Sequence, residues 1–261
     1  MLKEFYTAAL GMVNQQTRLE VAANNMANAG TSGFKRQEVF VRNLIDARAH
    51  FYNVKGDVEQ NDPPVGSFTD YERGAMQETG NQLDVALNSK NGFFVLRDEE
   101  GKEFFTRSGR FKVDSEGNLR SWDGKFVIGD TGIINMAGPK FMRPEQIDED
   151  RFFDVRINDQ GEVFANDIFV GNLMIALPDD PQTLQRVSNA SFVATNITNT
   201  KFLDRDQVFL KQGFLENSNV DVVSEMVEMI ELQKNFESGQ KVIHTNDSTL
   251  DRAIAIGRYY G

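Results

Sequence analysis

Apolar and small residues recur near the N-terminus at Leu2, Phe5, Ala9, Met12, Leu19, Ala23 and Met26, with Gln16 filling the one gap. The intervals alternate three and four, which is the seam of a helix that packs on another helix. Gly30 and Gly33, around Thr31 and Ser32, stop it. The other end repeats the pattern. Asn217, Ser218, Asn219 and Asp221 offer N-cap oxygens. A second seam follows to about residue 256: Val222, Met226, Met229, Gln233, Phe236, Gln240, Ile243, Asp247, Leu250 and Ile254. Gln233, Gln240 and Asp247 occupy successive positions of one phase, where polar residues weaken a seam but select its register and partner.

Between the ends the period changes. From about residue 91 to 215, short β-like runs such as GFFVL, EFFTRSGRFKV, FFDVRI and VFANDIFVGNLMIAL alternate with turns. Three of those turns have the form Asp/Asn-x-x-Gly, at 98–101, 114–117 and 158–161, and are expected to close hairpins. The pattern predicts an all-β module of roughly ten strands. Residues 31–75 are intermediate: Phe34, Val39, Phe40, Leu44 and Ile45 point to some order, while 55–70, with Pro63 and Pro64, is expected to be an extended or mobile loop. The fold class is therefore mainly β with helical termini: a discontinuous N/C-terminal coiled-coil module plus an all-β middle domain. The expected domains are 1–30 with 217–261 as paired terminal helices, 31–75 as a linker or small subdomain, and 76–216 as a β-rich outer domain.

Composition narrows the function. A formal net charge of −11 argues against broad nucleic-acid binding, which needs a positive surface, and against attachment to anionic lipid. With no cysteine, thiolate chemistry, disulfides and cysteine–metal sites are excluded. No run of about 18 apolar residues is present to span a membrane. The N-terminal stretch also makes a poor signal peptide, so export would use a route that does not read one. Only two histidines occur, His50 and His244, and nothing in their spacing pairs them with carboxylates. The loop 114–118 lacks the alternating ligands and closing Glu of a calcium loop, so a plain hairpin is expected. Carboxylate pairs such as Glu99–Glu100 and Asp179–Asp180 fall in turns, and Phe93, Phe94, Phe104, Phe105, Phe152 and Phe153 suit a core or a subunit interface. No catalytic, cofactor or metal site is expected.

The ends point to assembly. The run 22–29, AANNMANA, is a poor autonomous helix with almost nothing large to bury. Isolated helices of this length are marginal in water. The expected assembly residues are Leu2, Phe5, Ala9, Met12, Gln16, Leu19, Ala23, Asn24, Asn25 and Met26 on the first helix. On the last they are Val222, Met226, Met229, Gln233, Phe236, Gln240, Ile243, Leu250 and Ile254.

The run 23–35, ANNMANAGTSGFK, resembles the N-terminal signature of flagellar basal-body rod and hook proteins, with Met26 and Ser32 as mild departures. The runs GNQLDVAL (80–87), GFFV (92–95), TRSGRFKVD (106–114) and ENSNVDVV (216–223) are similar to later family motifs, so the likeness extends from end to end. It implies a subunit exported by the flagellar type III apparatus without a cleaved signal, polymerising helically into the axial structure that crosses the periplasm. Paired terminal helices would form the inner tube and the β domain the outer layer. Length and a single β domain resemble the distal-rod type, for which two close paralogues fit. A hook or rod–hook junction subunit is the alternative, and a β-rich enzyme or carbohydrate-binding module with a helical stem a remote one.

Overall fold

The computed structural model describes residues 2–41, 65–137, 154–194, 200–203 and 207–259, and it is mostly β with a long helix near each end. The chain divides into two compact units. The first draws on Met1–Ala27, Gln37–Asp70 and Asp221–Gly261, the second on Asn28–Arg36 and Tyr71–Val220.

The first unit is built on α1 (Leu2–Ala27) and α2 (Val222–Tyr259), joined by an antiparallel pair, β1 (Gln37–Val41) and β2 (Val65–Thr69). Asp221 caps α2. Its carboxylate accepts from the Val223 amide (3.1 Å) and the Ser224 hydroxyl (2.6 Å), satisfying donors that a helix start leaves free. Those hydrogen bonds, the Ser224 hydroxyl first, hold the Asp221 carboxyl below its ordinary pKa. Strand β2 corrects the expectation of a loop over 55–70. Residues 65–69 pair with 37–41 in full register from Gln37↔Thr69 to Val41↔Val65, and the Phe40 and Phe68 rings lie 6.5 Å apart. The cue was the β-branched and aromatic content of both runs, which the neighbouring prolines obscured. Residues 55–64 and His50 lie outside the described residues.

The second unit is a β assembly of short strands: β3 (Met76–Glu78), β4 (Val85–Leu87), β5 (Phe93–Arg97), β6 (Glu103–Thr106), β7 (Phe111–Val113), β8 (Leu119–Ser121), β9 (Phe126–Gly129), β10 (Gly132–Ile133), β11 (Val155–Ile157), β12 (Glu162–Ala165), β13 (Ile168–Asn172), β14 (Ile175–Pro178), β15 (Leu184–Arg186), β16 (Ser191–Ala194), β17 (Thr200–Phe202), β18 (Leu210–Gln212) and β19 (Phe214–Glu216). The main sheet runs β15-β16-β6-β5-β9-β8-β7, with β14 also on β5, β17 on β14 and β10 on β9. Strands β11, β12 and β13 form a smaller sheet, while β18 on β4 and β19 on β3 bring the end of the unit back beside its beginning.

More strands form than the roughly ten expected, because runs that look continuous are cut. EFFTRSGRFKV breaks at Gly109, where the Val85 carbonyl presses so closely that a Cβ would overlap it. VFANDIFVGNLMIAL turns at Asn166 and Asp167, both at positive φ, a two-residue hairpin turn with the handedness that suits twisted strands. The three Asx-x-x-Gly turns form as expected. In each, the Asx carbonyl accepts from the glycine amide, at 3.2, 3.0 and 3.0 Å for Asp98, Asp114 and Asn158. A fourth, Ser121 to Gly124, uses a hydroxyl where the others use a carboxylate or amide.

Strand β5 explains its own apolar run. Phe94 and Leu96 enter one core cluster with Val85, Leu87, Phe111 and Leu119, and Phe93 and Val95 enter another with Phe105, Ile128 and Phe192. A strand covered on both faces reads as unbroken hydrophobic sequence. The Phe94 and Phe111 rings meet edge to face at 5.2 Å. Phe94→Ala should therefore cost about 3–5 kcal/mol in chemical denaturation. Phe169→Ala, at a half-exposed site on β13, should stay within about 0.5 kcal/mol of the parent.

Candidate functional site

The two helices pack side by side and run antiparallel. Asn25 Nδ2 donates to Glu225 Oε2 (3.4 Å), Arg18 pairs with Glu228 (2.9 Å), and Gly239 lies against Met12, so positions ascend on one helix as they descend on the other. The Arg18–Glu228 pair is largely solvated and stabilises by at most about 1 kcal/mol. On α1 the covered stripe is Met12, Gln15, Leu19, Ala22 and Met26, with Asn25 beside it. On α2 it is Glu225, Met229, Leu232, Phe236, Gly239, Ile243 and Asn246. Both stripes keep the alternation of three and four.

These stripes share only half of the sequence-predicted seams. Met12, Leu19 and Met26, and Met229, Phe236 and Ile243, belong to both, and all are partly buried. The other predicted column, Gln16 and Ala23 on α1 and Val222, Met226, Gln233 and Gln240 on α2, is exposed, as is Asn24. Each helix therefore carries a second seam one residue round from the first. Leu2, Phe5 and Ala9, and Leu250 and Ile254, belong to α1 and α2, but their side chains lie outside the described set. Asn25, expected at an assembly surface, is 1% exposed and is bonded within the chain. Its amide grips both backbone groups of Gln37, Nδ2 to the carbonyl at 2.8 Å and Oδ1 from the amide at 2.9 Å.

In the second unit, the stretch that follows α1 and the stretch that precedes α2 are bound to one another. The Gly33 amide donates to the Glu216 carbonyl (2.7 Å), and the Arg36 amide donates to Asn219 Oδ1 (2.7 Å). Gly33 has φ +71° with the backbone of Arg107 and Ser108 directly against its Cα, so the motif requires glycine there. The side chain of Glu216 holds two cations. Lys35 Nζ lies 2.6 Å from Oε1 and Arg107 Nη2 2.8 Å from Oε2, with all three side chains 1% exposed. Lys35 also donates to the Glu72 carbonyl (2.6 Å), and Arg107 Nη1 to the carbonyls of Ser89 (2.8 Å) and Gly92 (2.5 Å). Burial lowers the Arg107 pKa, and Glu216 opposes that shift. Arg186 closes the other side. Its guanidinium stacks on Phe34 (4.5 Å) and donates to the Lys35 carbonyl, and burial brings its pKa to about 10. Lys35, Arg107 and Glu216 lie in the family-like runs, and the signal for their role is a charge embedded in each otherwise apolar or glycine-rich run.

The candidate chemistry resolves into structure. His244 is exposed on α2. The Asp114 carboxylate accepts from the amides of Glu116 (2.9 Å) and Asn118 (2.8 Å) and from Arg120 Nε (2.6 Å), as a hairpin turn requires. Burial pushes that carboxyl up, but the hydrogen bonds from Asn118 and Arg120 outweigh it and hold it below the ordinary value. Among the described residues, no group of His, Asp and Glu could hold a metal ion, and no helix is long and apolar enough to cross a membrane.

Comparison with known proteins gives three family matches: "Flagella basal body rod protein" over residues 5–35, "Flagellar hook protein FlgE/F/G D1 domain" over 89–165, and "Flagellar basal body rod FlgEFG protein C-terminal" over 211–256. Among relatives, the flagellar basal-body rod protein FlgG of Bacillus subtilis is 30% identical, covering 99% of this chain and 100% of its own. FlgG of Agrobacterium fabrum is 30% identical over 92% of this chain and 94% of its own. The rod protein FlgF of Caulobacter vibrioides is 32% identical over 94% of each.

Two outcomes follow for the buried cluster and the Asp114 turn. Glu216→Gln leaves two cations buried without a counter-charge and should cost about 3–5 kcal/mol in urea denaturation. Lys35→Met leaves a neutral Arg107–Glu216 pair and should cost less; the reverse order would contradict the charge argument. The stability contributed by Asp114 is present above the ordinary carboxyl pKa and is lost as pH falls through its lowered value. Asp114→Asn should flatten that acid limb in melting temperature against pH.

Proposed function

The chain belongs to the flagellar basal-body rod protein family, and from that premise we propose that it polymerises helically through the exposed second seam of α1 and α2. As a member of that family it is a structural subunit of the basal body, not an enzyme, and it assembles with other flagellar subunits. The observation that carries the proposal is the one-residue offset. The intramolecular pair uses Gln15, Ala22, Leu232 and Gly239, leaving Gln16, Ala23, Met226, Gln233 and Gln240 exposed beside columns that are only half covered. A second copy laid there would complete the burial of Met12, Leu19, Met229 and Phe236. Open contacts of this heterologous kind extend rather than close, which is how a filament grows and stiffens. Polar glutamines in the outer seam fit that use, since they favour register over affinity.

In this reading, residues 1–30 and 217–261 form the axial core module, 31–75 a connecting subdomain and 76–216 the outer domain. The subunit is of the distal-rod type, passes torque from motor to hook, leaves the cell through the flagellar type III apparatus, and works in the periplasm. Length and the end-to-end coverage of rod relatives support this. A hook or junction position is the second reading, favoured by the hook-protein description of the match over 89–165. Labelling the chain in isolated hook–basal bodies separates them: signal inside the rod supports the first, signal along the curved hook the second.

Variants test the seam itself. Ala23→Glu and Gln233→Glu should leave monomer stability within about 0.5 kcal/mol yet abolish polymerisation and motility. Leu232→Glu should instead destabilise the helix pair of the monomer. Normal motility in both outer-seam variants would overturn the proposal.

A further inference from the structure

A cavity of about 570 Å³ opens in the second unit, bounded by residues 30–32, 121–123 and 188–191 and by Thr106, Ser108 and Arg110. Its lining carries seven hydroxyl side chains, one amide, one guanidinium, one carboxylate and one indole, and no large aliphatic group. The indole is Trp122, which is 68% exposed. Exposing so large an aromatic surface is unfavourable unless something covers it, and here it sits at the rim of a polar cavity rather than in an apolar patch.

The neighbours of the ring are cations. Arg110 lies 5.9 Å and Lys112 5.6 Å from the Trp122 ring centre, and Lys112 Nζ donates to the Trp122 carbonyl (3.4 Å). These contacts stiffen the indole as a platform. The Arg110 guanidinium donates no hydrogen bond among the described residues, so its fork of N–H groups is available. The Ser32 and Ser108 hydroxyls lie 3.1 Å apart and share a single hydrogen bond, which leaves each with further capacity.

We propose that this cavity is a binding site for a neutral, hydroxyl-rich saccharide chain, with a pyranose face on Trp122 and ring hydroxyls held by Arg110, Asn189 and the serines. A protein partner would seek an apolar socket for an anchor residue, which this lining does not provide. A polyanion would meet the field of a chain with formal net charge −11. The site binds and does not hydrolyse. Both oxygens of Asp123 are taken, Oδ1 by the Ser121 hydroxyl (2.5 Å) and Oδ2 by Lys125 and the Ser191 hydroxyl (3.2 Å). Burial pushes its carboxyl up, but the bonds from Lys125 and Ser121 prevail and keep it below the ordinary value, so it has no proton to give a leaving oxygen. The site is lined by residues of the second unit alone, and its test is independent of the assembly proposal.

Trp122 is the only tryptophan of the chain, so tryptophan emission, excited where tyrosine does not absorb, reports this cavity alone. The full chain is titrated with cellotetraose and, separately, with the tetramer of β-1,4-linked N-acetylglucosamine. At least one should give a saturable change in fluorescence, with amide NMR shifts concentrated at residues 30–32, 121–123 and 188–191. Arg110→Ala and Asn189→Ala should each weaken binding by about 5–10-fold, the loss of one hydrogen bond. Trp122→Ala, at an exposed turn, should fold normally and lose the shifts. No saturable change with either sugar, or shifts that survive Trp122→Ala, would overturn the proposal. A Trp122 signal that responds only to polymerisation would also overturn it, by making the cavity a contact between subunits.

Discussion

A helix that carries more than one packing stripe can bury only one of them against a single partner, and the helix pair of this chain is built under that constraint. The pairing of α1 with α2 uses the stripe through Ala22 and Leu232 and leaves the one through Ala23 and Gln233 in water. The intramolecular stripe is itself modest. Gln15, Ala22, Gly239 and Asn246 contribute little apolar area, and among the described residues of α2 the fully buried positions are Leu232 and the charged Glu225. In the proposed filament, a neighbouring subunit covers the outer column that the helix pair leaves exposed.

The second unit meets a different requirement. The two stretches that lead out of α1 and into α2 must be held together within a β structure, and a single carboxylate does this. Glu216 takes Lys35 and Arg107 into a site shielded from water, and its backbone receives Gly33. A buried cluster of two cations and one anion is a poor way to gain stability. Its value is specificity, because each member finds its charge partner in one arrangement only. The glycine, phenylalanine and lysine of residues 33–35 each have a separate task there: close backbone approach, full burial under Arg186, and an ion pair.

Much of this was legible in the sequence. Period and caps marked both helices, and the Asx-x-x-Gly turns marked three hairpins at their true positions. What escaped has identifiable causes. Residues 15 and 16 are both Gln and 22 and 23 both Ala, so on α1 the inner and outer columns are chemically identical and no pattern can choose between them. On α2, Leu232 was the clue to the inner column, outweighed by Met226 in the phase one residue away. Strand β2 was hidden by nearby prolines, and the break at Gly109 depends on a carbonyl from β4 that is remote in sequence. The Lys35–Glu216 pair joins residues 181 apart in the chain, a contact no local pattern carries.

In the proposed filament the outer column of each helix meets a neighbouring subunit while the inner column meets its own chain. A photo-crosslinking scan along α2 in assembled basal bodies tests this most directly. Probes at positions 226, 233 and 240 should give adducts between subunits, and probes at 232 and 239 should give adducts to α1 of the same chain. Inter-subunit adducts that appear equally at both columns, or only at 232 and 239, would contradict it.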